Sequence, residues 1–449
     1  MKEFYAYVDE NAGRFVGELQ MLCRQPTVSA QNRGVKETAE MVLEMLQGIG
    51  AEARFITVDN APPIVYGTIG QGEKSLIFYN HYDVQPPEPL EEWKSDPFAA
   101  QIREGVLYAR GVADNKGDLV ARLKAIEAHR ATQGELPLKV IFVFEGEEEV
   151  GSPHIPQFVE ENRELLKADG CIWEGAAKDM AGRPVLYLGL KGGLHLELRA
   201  KGASRDLHSS WATIIPNPAW RLVWALSTLK DENDHITVDG LMERVAEPSP
   251  EELELLRRIP FEEEKIKGDL GIGAFVRDLH GLEALKKHLY EPTCTIQGMK
   301  SGYIGEGVKT VLPNQAMVKL GFRLVPDLEP DTVLDLVRKH LKRRGFDDIE
   351  ITLLAADRWA KSPLDAPIVE AAKEAARRVY GQEPVIWPRL AGSGPMYHLT
   401  EGLGIPAASG IGVSHARSNI HAPNENIKVA DYLQAIKYCG ELIRLFAER

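Results

Sequence analysis

Residues 76–83 read Leu76-Ile77-Phe78-Tyr79-Asn80-His81-Tyr82-Asp83, an apolar run that predicts a buried strand and ends in a histidine and an aspartate. Two other apolar runs end in the same way. Residues 140–144 lead into Glu145-Gly146-Glu147-Glu148-Glu149, and residues 171–173 lead into Glu174. In open α/β sheets, ligands bind in the crevice outside the carboxyl ends of the strands. We therefore expect these segments to build one site, and their imidazole and carboxylate groups indicate a divalent cation, with zinc the first candidate.

Length and composition predict a globular protein of two domains. The chain has 449 residues, of which 44% are hydrophobic and 27% are charged, and its formal net charge is −13. This negative charge argues against nucleic acid or an anionic membrane as a partner. The four cysteines have no paired spacing, which fits reduced thiols, and the N-terminus lacks the apolar core of a signal peptide. The expectation is a cytoplasmic protein without a membrane segment.

The order of the predicted elements indicates one domain inserted into another. Strand and helix patterns alternate through the first part of the chain, which predicts an α/β fold with a largely parallel sheet and helices on both faces. Residues 194–200 and 317–324 instead alternate strictly between apolar and polar side chains, as in a sheet with one wet face. We expect an α/β domain of residues 1–190 and 361–449, interrupted by an α+β domain of residues 191–360.

The candidate ligands form a set that suits two ions. His81 and Asp83 stand two residues apart, and a carboxylate there can orient the imidazole. Taken singly, each residue has an ordinary explanation, such as a helix cap for Asp114 or a solvated turn for the glutamates. Together, the imidazoles of His81 and His421 and three carboxylates, from Asp114, Glu174 and the glutamates after residue 144, match what two adjacent divalent ions need, with one aspartate bridging them.

Four motifs resemble one known family, the di-zinc metallopeptidases that include carnosinases, aminoacylases, succinyl-diaminopimelate desuccinylases and bacterial glutamate carboxypeptidases. The motifs are His81-Tyr82-Asp83-Val84-Gln85-Pro86, Ala109-Arg110-Gly111-Val112-Ala113-Asp114-Asn115-Lys116-Gly117, Glu147-Glu148-Glu149-Val150-Gly151-Ser152 and His421-Ala422-Pro423-Asn424-Glu425. The resemblance covers nearly the whole chain. It implies a zinc-peptidase-like catalytic domain whose inserted domain serves as a lid and a dimerisation domain.

The resemblance also implies a role for each residue of the site. One ion would be bound by His81, Asp114 and Glu174, and the other by His421, Asp114 and Glu149, with Asp114 bridging. Asp83 would orient His81, and Glu148 would be the general base, with Glu147 an additional carboxylate that binds no metal. The Asp114–Asn115 peptide bond is expected to be cis, as it is in relatives.

Residues of the lid, and of a loop that follows it, are implied to bind substrate. His208 would reach the active site of the partner subunit in a homodimer and stabilise the oxyanion. Asn314 and Arg323 would hold substrate from the lid, while Arg389, Gly392 and Ser393 match a loop that recognises a carboxylate. An arginine on a strand can equally be a solvated or ion-paired side chain.

The expected reaction is hydrolysis of an amide or peptide bond in a small substrate with a free carboxylate. A hydroxide bridging two divalent ions, most simply zinc but alternatively manganese or cobalt, would attack with Glu148 as the base. Motif context favours a dipeptidase, whereas glutamate at position 174 favours a carboxypeptidase or deacylase. The alternatives are an N-acyl-amino-acid deacylase acting on an N-acyl amino acid, a metal-free binding protein on the same scaffold, and a two-metal phosphoesterase, for which no phosphate-binding glycine loop is present.

Overall fold

The computed structural model describes residues 1–449. The α-helices are, in chain order, α1 (Lys2–Glu10), α2 (Ala12–Arg24), α3 (Val35–Gly48), α4 (Lys116–Gln133), α5 (Ile155–Glu161), α6 (Pro218–Leu226), α7 (Pro250–Arg258), α8 (Glu263–Leu270), α9 (Gly281–Tyr290), α10 (Pro330–Arg343), α11 (Pro367–Tyr380), α12 (Met396–Leu399) and α13 (Val429–Ala447). None of them is both long enough and apolar enough to cross a membrane.

The strands are, in chain order, β1 (Glu52–Ile56), β2 (Ile64–Ile69), β3 (Ser75–His81), β4 (Gln101–Arg103), β5 (Val106–Tyr108), β6 (Lys139–Glu145), β7 (Gly170–Lys178), β8 (Val185–Tyr187), β9 (Gly189–Leu190), β10 (Gly192–Lys201), β11 (Leu207–His208), β12 (Thr293–Ser301), β13 (Val311–Leu312), β14 (Gln315–Leu324), β15 (Glu350–Asp357), β16 (Ala360–Lys361), β17 (Val385–Trp387), β18 (Ala407–His415) and β19 (Asn426–Lys428). The chain divides into two compact units. The first comprises Met1–Gly189, Lys361–Pro388 and Pro395–Arg449, and the second comprises Leu190–Ala360 and Arg389–Gly394.

The first unit is built on a six-stranded sheet in the order β1-β2-β6-β3-β7-β18. Strands β6, β3, β7 and β18 are parallel, β2 pairs with β6 in the antiparallel direction, and β1 pairs with β2 in the antiparallel direction. This arrangement confirms the predicted α/β class with a largely parallel sheet. Because β6, β3 and β7 are parallel neighbours, their carboxyl ends meet at one edge of the sheet.

Burial on both faces explains why the central strands read as unbroken apolar runs. Every residue of β3 after Ser75 and every residue of β6 after Lys139 is buried. Side chains of α1, α2, α3, α4, α11 and α13 join those of the sheet in one apolar core. Helix α4 is buried almost all round, so its polar side chains, Asp118 and Arg122 among them, must find partners inside the protein.

The second unit contains a four-stranded antiparallel sheet in the order β12-β14-β10-β15. Alternate side chains of β10, namely Leu194, Leu196, Leu198 and Ala200, enter a separate core together with apolar residues of α6 and α10. The intervening positions of β10 are only half-buried. The strict alternation in the sequence therefore corresponds to a sheet covered by helices on one face, as predicted.

Residues 389–394 depart from the predicted division of the chain. The sequence pattern places them in the catalytic domain, but they group with the second unit. The physical reason lies in the backbone, because the N–H group of Lys191 donates to the carbonyls of Leu390 and Gly392 at 3.2 and 3.0 Å. The Ser393 hydroxyl also donates to the carbonyl of Gly192 at 2.6 Å. Apart from this segment, the roles assigned to the two units stay predictions.

Candidate metal centre

The site lies in the first unit, at the edge where the parallel strands end. His81 is the last residue of β3, and Glu148 and Glu149 form a short turn after the end of β6. Asp114 precedes the first turn of α4, and its peptide bond to Asn115 is cis, as expected. His421 lies in the loop between β18 and β19, with its backbone in the left-handed region at φ +63°. Four separate segments thus converge on one place.

The carboxylate of Asp114 stands between two imidazoles. Its Oδ1 lies 3.0 Å from Nε2 of His81, and its Oδ2 lies 3.1 Å from Nε2 of His421. The same nitrogen of His421 is 3.2 Å from Oε2 of Glu149. Ligand atoms of His81, Asp114 and Glu149 all lie within 4.8 Å of one another. A carboxylate with one imidazole on each oxygen has the arrangement that a bridging ligand requires.

Asp83 supports this arrangement in two ways. Its backbone carbonyl lies 3.1 Å from Nδ1 of His81, and its carboxylate Oδ1 lies 3.4 Å from the same atom. The carboxylate also accepts the N–H groups of Glu148 and Glu149, at 3.2 and 3.1 Å. Asp83 therefore contacts the far side of the His81 ring and also fixes the turn that carries the two glutamates.

Glu174 interacts electrostatically with His81, Asp114 and Glu149, and the backbone that carries it differs from the prediction. The strand was expected to end at Glu174, but β7 continues to Lys178. Strand β18 pairs Ser409 with Trp173 and Gly410 with Gly175, so the register skips Glu174. Such a bulge leaves one residue unpaired and redirects its side chain. Glycine follows because a Cβ at position 175 would lie 1.9 Å from the carboxylate of Asp118.

The glutamates at the end of β6 and just after it contact different partners. Glu145 accepts hydrogen bonds from the hydroxyls of Tyr79 and Ser152, and burial raises its pKa to about 8. Glu147 accepts the N–H of His154 and lies 2.9 Å from its Nδ1. Of these glutamates, only Glu148 and Glu149 remain as candidates for the site, and the role of Glu147 as a carboxylate that binds no metal stays a prediction.

Several charges in the site are perturbed by burial and by one another. Burial raises the pKa of Glu174 to about 7, and burial followed by the charge of Glu174 raises the pKa of Glu148. The carboxylates of Asp114 and Glu149 raise the pKa of His421 to about 10. Burial would lower the pKa of His81, but its contacts with Asp114 and Asp83 raise it. Crowded carboxylates at a buried edge therefore attract positive charge.

These residues fit a pair of divalent cations. Oε1 of Glu149 and Oε1 of Glu174 are both buried without a hydrogen-bond partner, so each has a lone pair for a further ligand. Oε2 of Glu149, by contrast, accepts a hydrogen bond from Nε2 of Gln85 at 2.9 Å. Two imidazoles and three carboxylates form the donor set of hard or borderline divalent metals.

Sequence reasoning missed two buried groups behind the ligands. Glu425 belongs to a motif that was recognised, but no role was assigned to it, and its carboxylate binds the backbone around Asp114. Arg122 was assigned no role, yet its guanidinium donates to the carbonyls of Tyr79 and Trp173, just before the candidate ligands His81 and Glu174. A charged residue in the middle of a buried helix was the only available indication of such a role.

The other predicted residues lie in the second unit. His208 is exposed at the end of β11, and its Nδ1 accepts the N–H of Ser210 at 3.2 Å. Asn314 donates its backbone N–H to Asp206 at 3.0 Å, and Arg323 lies on β14. Their binding of substrate stays a prediction.

Arg389, Gly392 and Ser393 lie close to each other along the chain in that unit, and only the arginine is deeply buried. Arg389 is 3% exposed, with its guanidinium 4.1 Å from the ring centre of Tyr290 and 3.7 Å from the carboxylate of Glu252. These contacts hold the guanidinium of Arg389 inside the second unit and away from its surface. Contact of this loop with substrate also stays a prediction.

Comparison with known proteins identifies the relatives of this chain. A model of peptidase family M20/M25/M40 matches residues 77–445. The chain is 29% identical to the Cys-Gly metallodipeptidase dug1 of Schizosaccharomyces pombe, over 97% of this chain and 96% of that protein. It is 26% identical to the Beta-Ala-His dipeptidase of Homo sapiens, over 97% and 91%. The crystal structure of the M20 family metallo-carboxypeptidase Sso-CP2 from Sulfolobus solfataricus is similar with a TM-score of 0.93 and 39% identity, covering 97% of this chain and 99% of that one.

Proposed function

The chain belongs to peptidase family M20/M25/M40, and from this premise we propose that it hydrolyses the peptide bond of small substrates that carry a free carboxylate, using two divalent ions. It is a metallopeptidase, like the relatives named metallodipeptidase and metallo-carboxypeptidase. The observation that carries the proposal is the Asp114 carboxylate, whose two oxygens each face one imidazole. A metal-free binding protein would leave the buried Oε1 atoms of Glu149 and Glu174 without a partner.

The proposed ligand sets follow the positions of the side chains. His421, Asp114 and Glu149 would hold one ion, which is supported by the 3.1 and 3.2 Å approaches of His421 to the two carboxylates. His81, Asp114 and Glu174 would hold the other, and the buried free oxygen of Glu174 supports this assignment. Zinc is the proposed metal because imidazole and carboxylate suit it, with manganese and cobalt as alternatives.

Glu148 is proposed as the general base. Two bound divalent ions would lower the pKa of a shared water towards about 7 and polarise the scissile carbonyl. Glu148 is positioned by the bond from its N–H to Asp83, and its raised pKa suits a carboxylate that takes a proton and then returns it. It would accept the proton of the attacking water and deliver it to the leaving amine.

Replacing this base tests the mechanism directly. Glu148→Gln should lower kcat by roughly 10²–10⁴-fold, as expected for a lost general base, and should leave two ions bound. Glu147→Gln is the matched control, because its carboxylate binds His154 and should change kcat only slightly. Metal content is measured by elemental analysis alongside dipeptide hydrolysis. Retention of more than a few per cent of the wild-type rate by Glu148→Gln would exclude this residue as the base.

The substrate class is proposed as a dipeptide or the C-terminal end of a short peptide. Names of relatives support both, since one is a Cys-Gly metallodipeptidase, one a Beta-Ala-His dipeptidase and one a metallo-carboxypeptidase. An N-acyl-amino-acid deacylase is the alternative. A hydrolysis panel of dipeptides, blocked tripeptides and N-acyl amino acids separates the three. Turnover of only the N-acyl amino acids would replace the main proposal with the alternative.

We also propose a homodimer in which the second unit serves as the lid and His208 acts on the partner's site. Support comes from exposed apolar side chains near His208 in the sequence, including Trp211 at 49% and Ile214 at 73% exposure, which is typical of surfaces that another protein covers. A cytoplasmic location is proposed because all four cysteines are free and buried.

A further inference from the structure

Glu425 makes an unusual number of hydrogen bonds for a side chain with no assigned role. Its carboxylate is completely buried. Oε1 accepts the N–H groups of Ala113 and Asp114, at 2.8 and 3.1 Å. Oε2 accepts the N–H of Gly111 at 2.9 Å and a guanidinium N–H of Arg110 at 2.8 Å. Both oxygens are therefore fully occupied by the segment that ends in the bridging aspartate.

This segment has no other regular structure to hold it in place. Residues 109–114 connect β5 to α4, outside any strand or helix. Buried N–H groups in such a loop need acceptors, and leaving one unsatisfied costs about 1–3 kcal/mol. The two carboxylate oxygens of Glu425 accept three of these N–H groups, and its backbone carbonyl accepts a fourth, that of Ala109, at 3.1 Å.

Glu425 also stands on the loop that presents the second histidine. It follows His421 by four residues, and the next residues form β19, which pairs with β5. The N–H of Asn426 donates to the carbonyl of Ser418 at 2.9 Å, which closes the loop around His421. One carboxylate thus joins the loop of His421 to the loop of Asp114, whose side chains approach to 3.1 Å.

We propose that Glu425 is a positioning residue that fixes the Asp114 carboxylate relative to the His421 imidazole and thereby sets the affinity for the ion between them. The inference rests on the proposed two-ion function. Groups that orient metal ligands from behind typically contribute 10–100-fold to metal affinity. The competing explanation is that Glu425 only neutralises the buried guanidinium of Arg110.

The test is a metal titration of the metal-free protein with Zn²⁺ against a chromophoric chelator. Glu425→Gln has nearly the same shape, but its amide nitrogen cannot accept, so one pair of N–H groups loses its acceptor. We expect the affinity for the ion at His421 to fall roughly 10–100-fold. Because Asp114 would also bind the second ion, the affinity for that ion should fall as well, but by less. Equal affinities for both ions in Glu425→Gln and the wild type would overturn the proposal.

Two further variants separate positioning from simple support of the fold. Arg110→Gln removes the guanidinium but leaves the three backbone bonds of Glu425, so it should reduce thermal stability and spare both ion affinities. If it weakens one ion as strongly as Glu425→Gln does, charge neutralisation is the correct explanation and positioning is refuted. Arg110→Gln keeps the bond from the N–H of Asp114 to Glu425, so its ion affinities still test the charge-neutralisation explanation if Glu425→Gln fails to fold.

Asp431→Asn is the matched control for loss of a buried carboxylate. Asp431 lies in the first turn of α13 and forms an ion pair with Lys178 at 2.6 Å within the same unit. The Asp431→Asn variant should have a lower melting temperature than the wild type but the same affinity for each of the two ions. A wild-type protein that binds fewer than two ions would instead refute the proposed function, so the two failures are distinguishable.

Discussion

Arg122 is the side chain whose loss we expect to disturb the site most without touching a ligand. It extends from α4, is 2% exposed, and donates from Nη1 to the carbonyl of Tyr79 and to Oδ1 of Asn80 at 2.6 Å. It also donates to the carbonyls of Ile172 and Trp173, at 3.4 and 3.2 Å. These residues immediately precede His81 on β3 and Glu174 on β7. Arg122→Met should therefore weaken both the fold and the binding of the ion that we propose His81 and Glu174 hold.

The magnitude follows from the groups that lose their donor. Arg122→Met leaves three buried carbonyls and one amide oxygen without it, each costing about 1–3 kcal/mol. Removal of the buried guanidinium relieves part of this cost, since desolvation opposes the charge. The four groups would sum to about 4–12 kcal/mol, and with this relief we expect a net loss of about 3–5 kcal/mol. For the first unit, this corresponds to a fall in the melting temperature of roughly 10 °C.

The assay is urea and thermal unfolding of the metal-free protein, followed by a metal titration of the folded fraction. Arg122→Lys keeps the charge but loses the planar fork, so its destabilisation should be intermediate. The affinity for one ion should fall along with stability in Arg122→Met. If the unfolding free energy falls by less than about 1 kcal/mol, as for a surface ion pair, Arg122 does not stabilise the ends of β3 and β7 as we expect.

Two other predictions concern the subunits and the protons of the site. If His208 acts on the partner's site, mixing the inactive His208→Ala and Glu148→Gln variants should restore roughly a quarter of the wild-type rate. About half of the dimers would then be mixed, and each mixed dimer has one intact site of two. No recovery after confirmed subunit exchange would contradict this. Metal binding should release protons near neutral pH, since metal-free Glu174 and His421 have pKa values of about 7 and 10 and must deprotonate to bind. The apparent ion affinity should then rise between pH 6 and 8, which calorimetry in buffers of different ionisation enthalpy can measure, and a flat profile would be inconsistent with these ligands.

Local patterns in the sequence were sufficient to predict the fold class and the segments that carry the candidate ligands. Strands buried on both faces, such as β3 and β6, read as unbroken apolar runs, and β10 alternates because one of its faces is wet. His81 could be placed at the edge of the sheet for the same reason. These properties depend on neighbours within a few residues, so a single sequence contains them.

Tertiary contacts decided the remaining features. The bulge at Glu174 depends on the register between β7 and β18, which lie more than two hundred residues apart in the chain. Residues 389–394 group with the second unit because of their bonds to Lys191 and Gly192, and Glu425 binds backbone more than three hundred residues away. The sequence alone determined which residue types could bind metal and on which elements they stand. The exact positions of these side chains depend on hydrogen bonds between distant segments. Such bonds form only when the whole chain is packed, so no local pattern in the sequence encodes them.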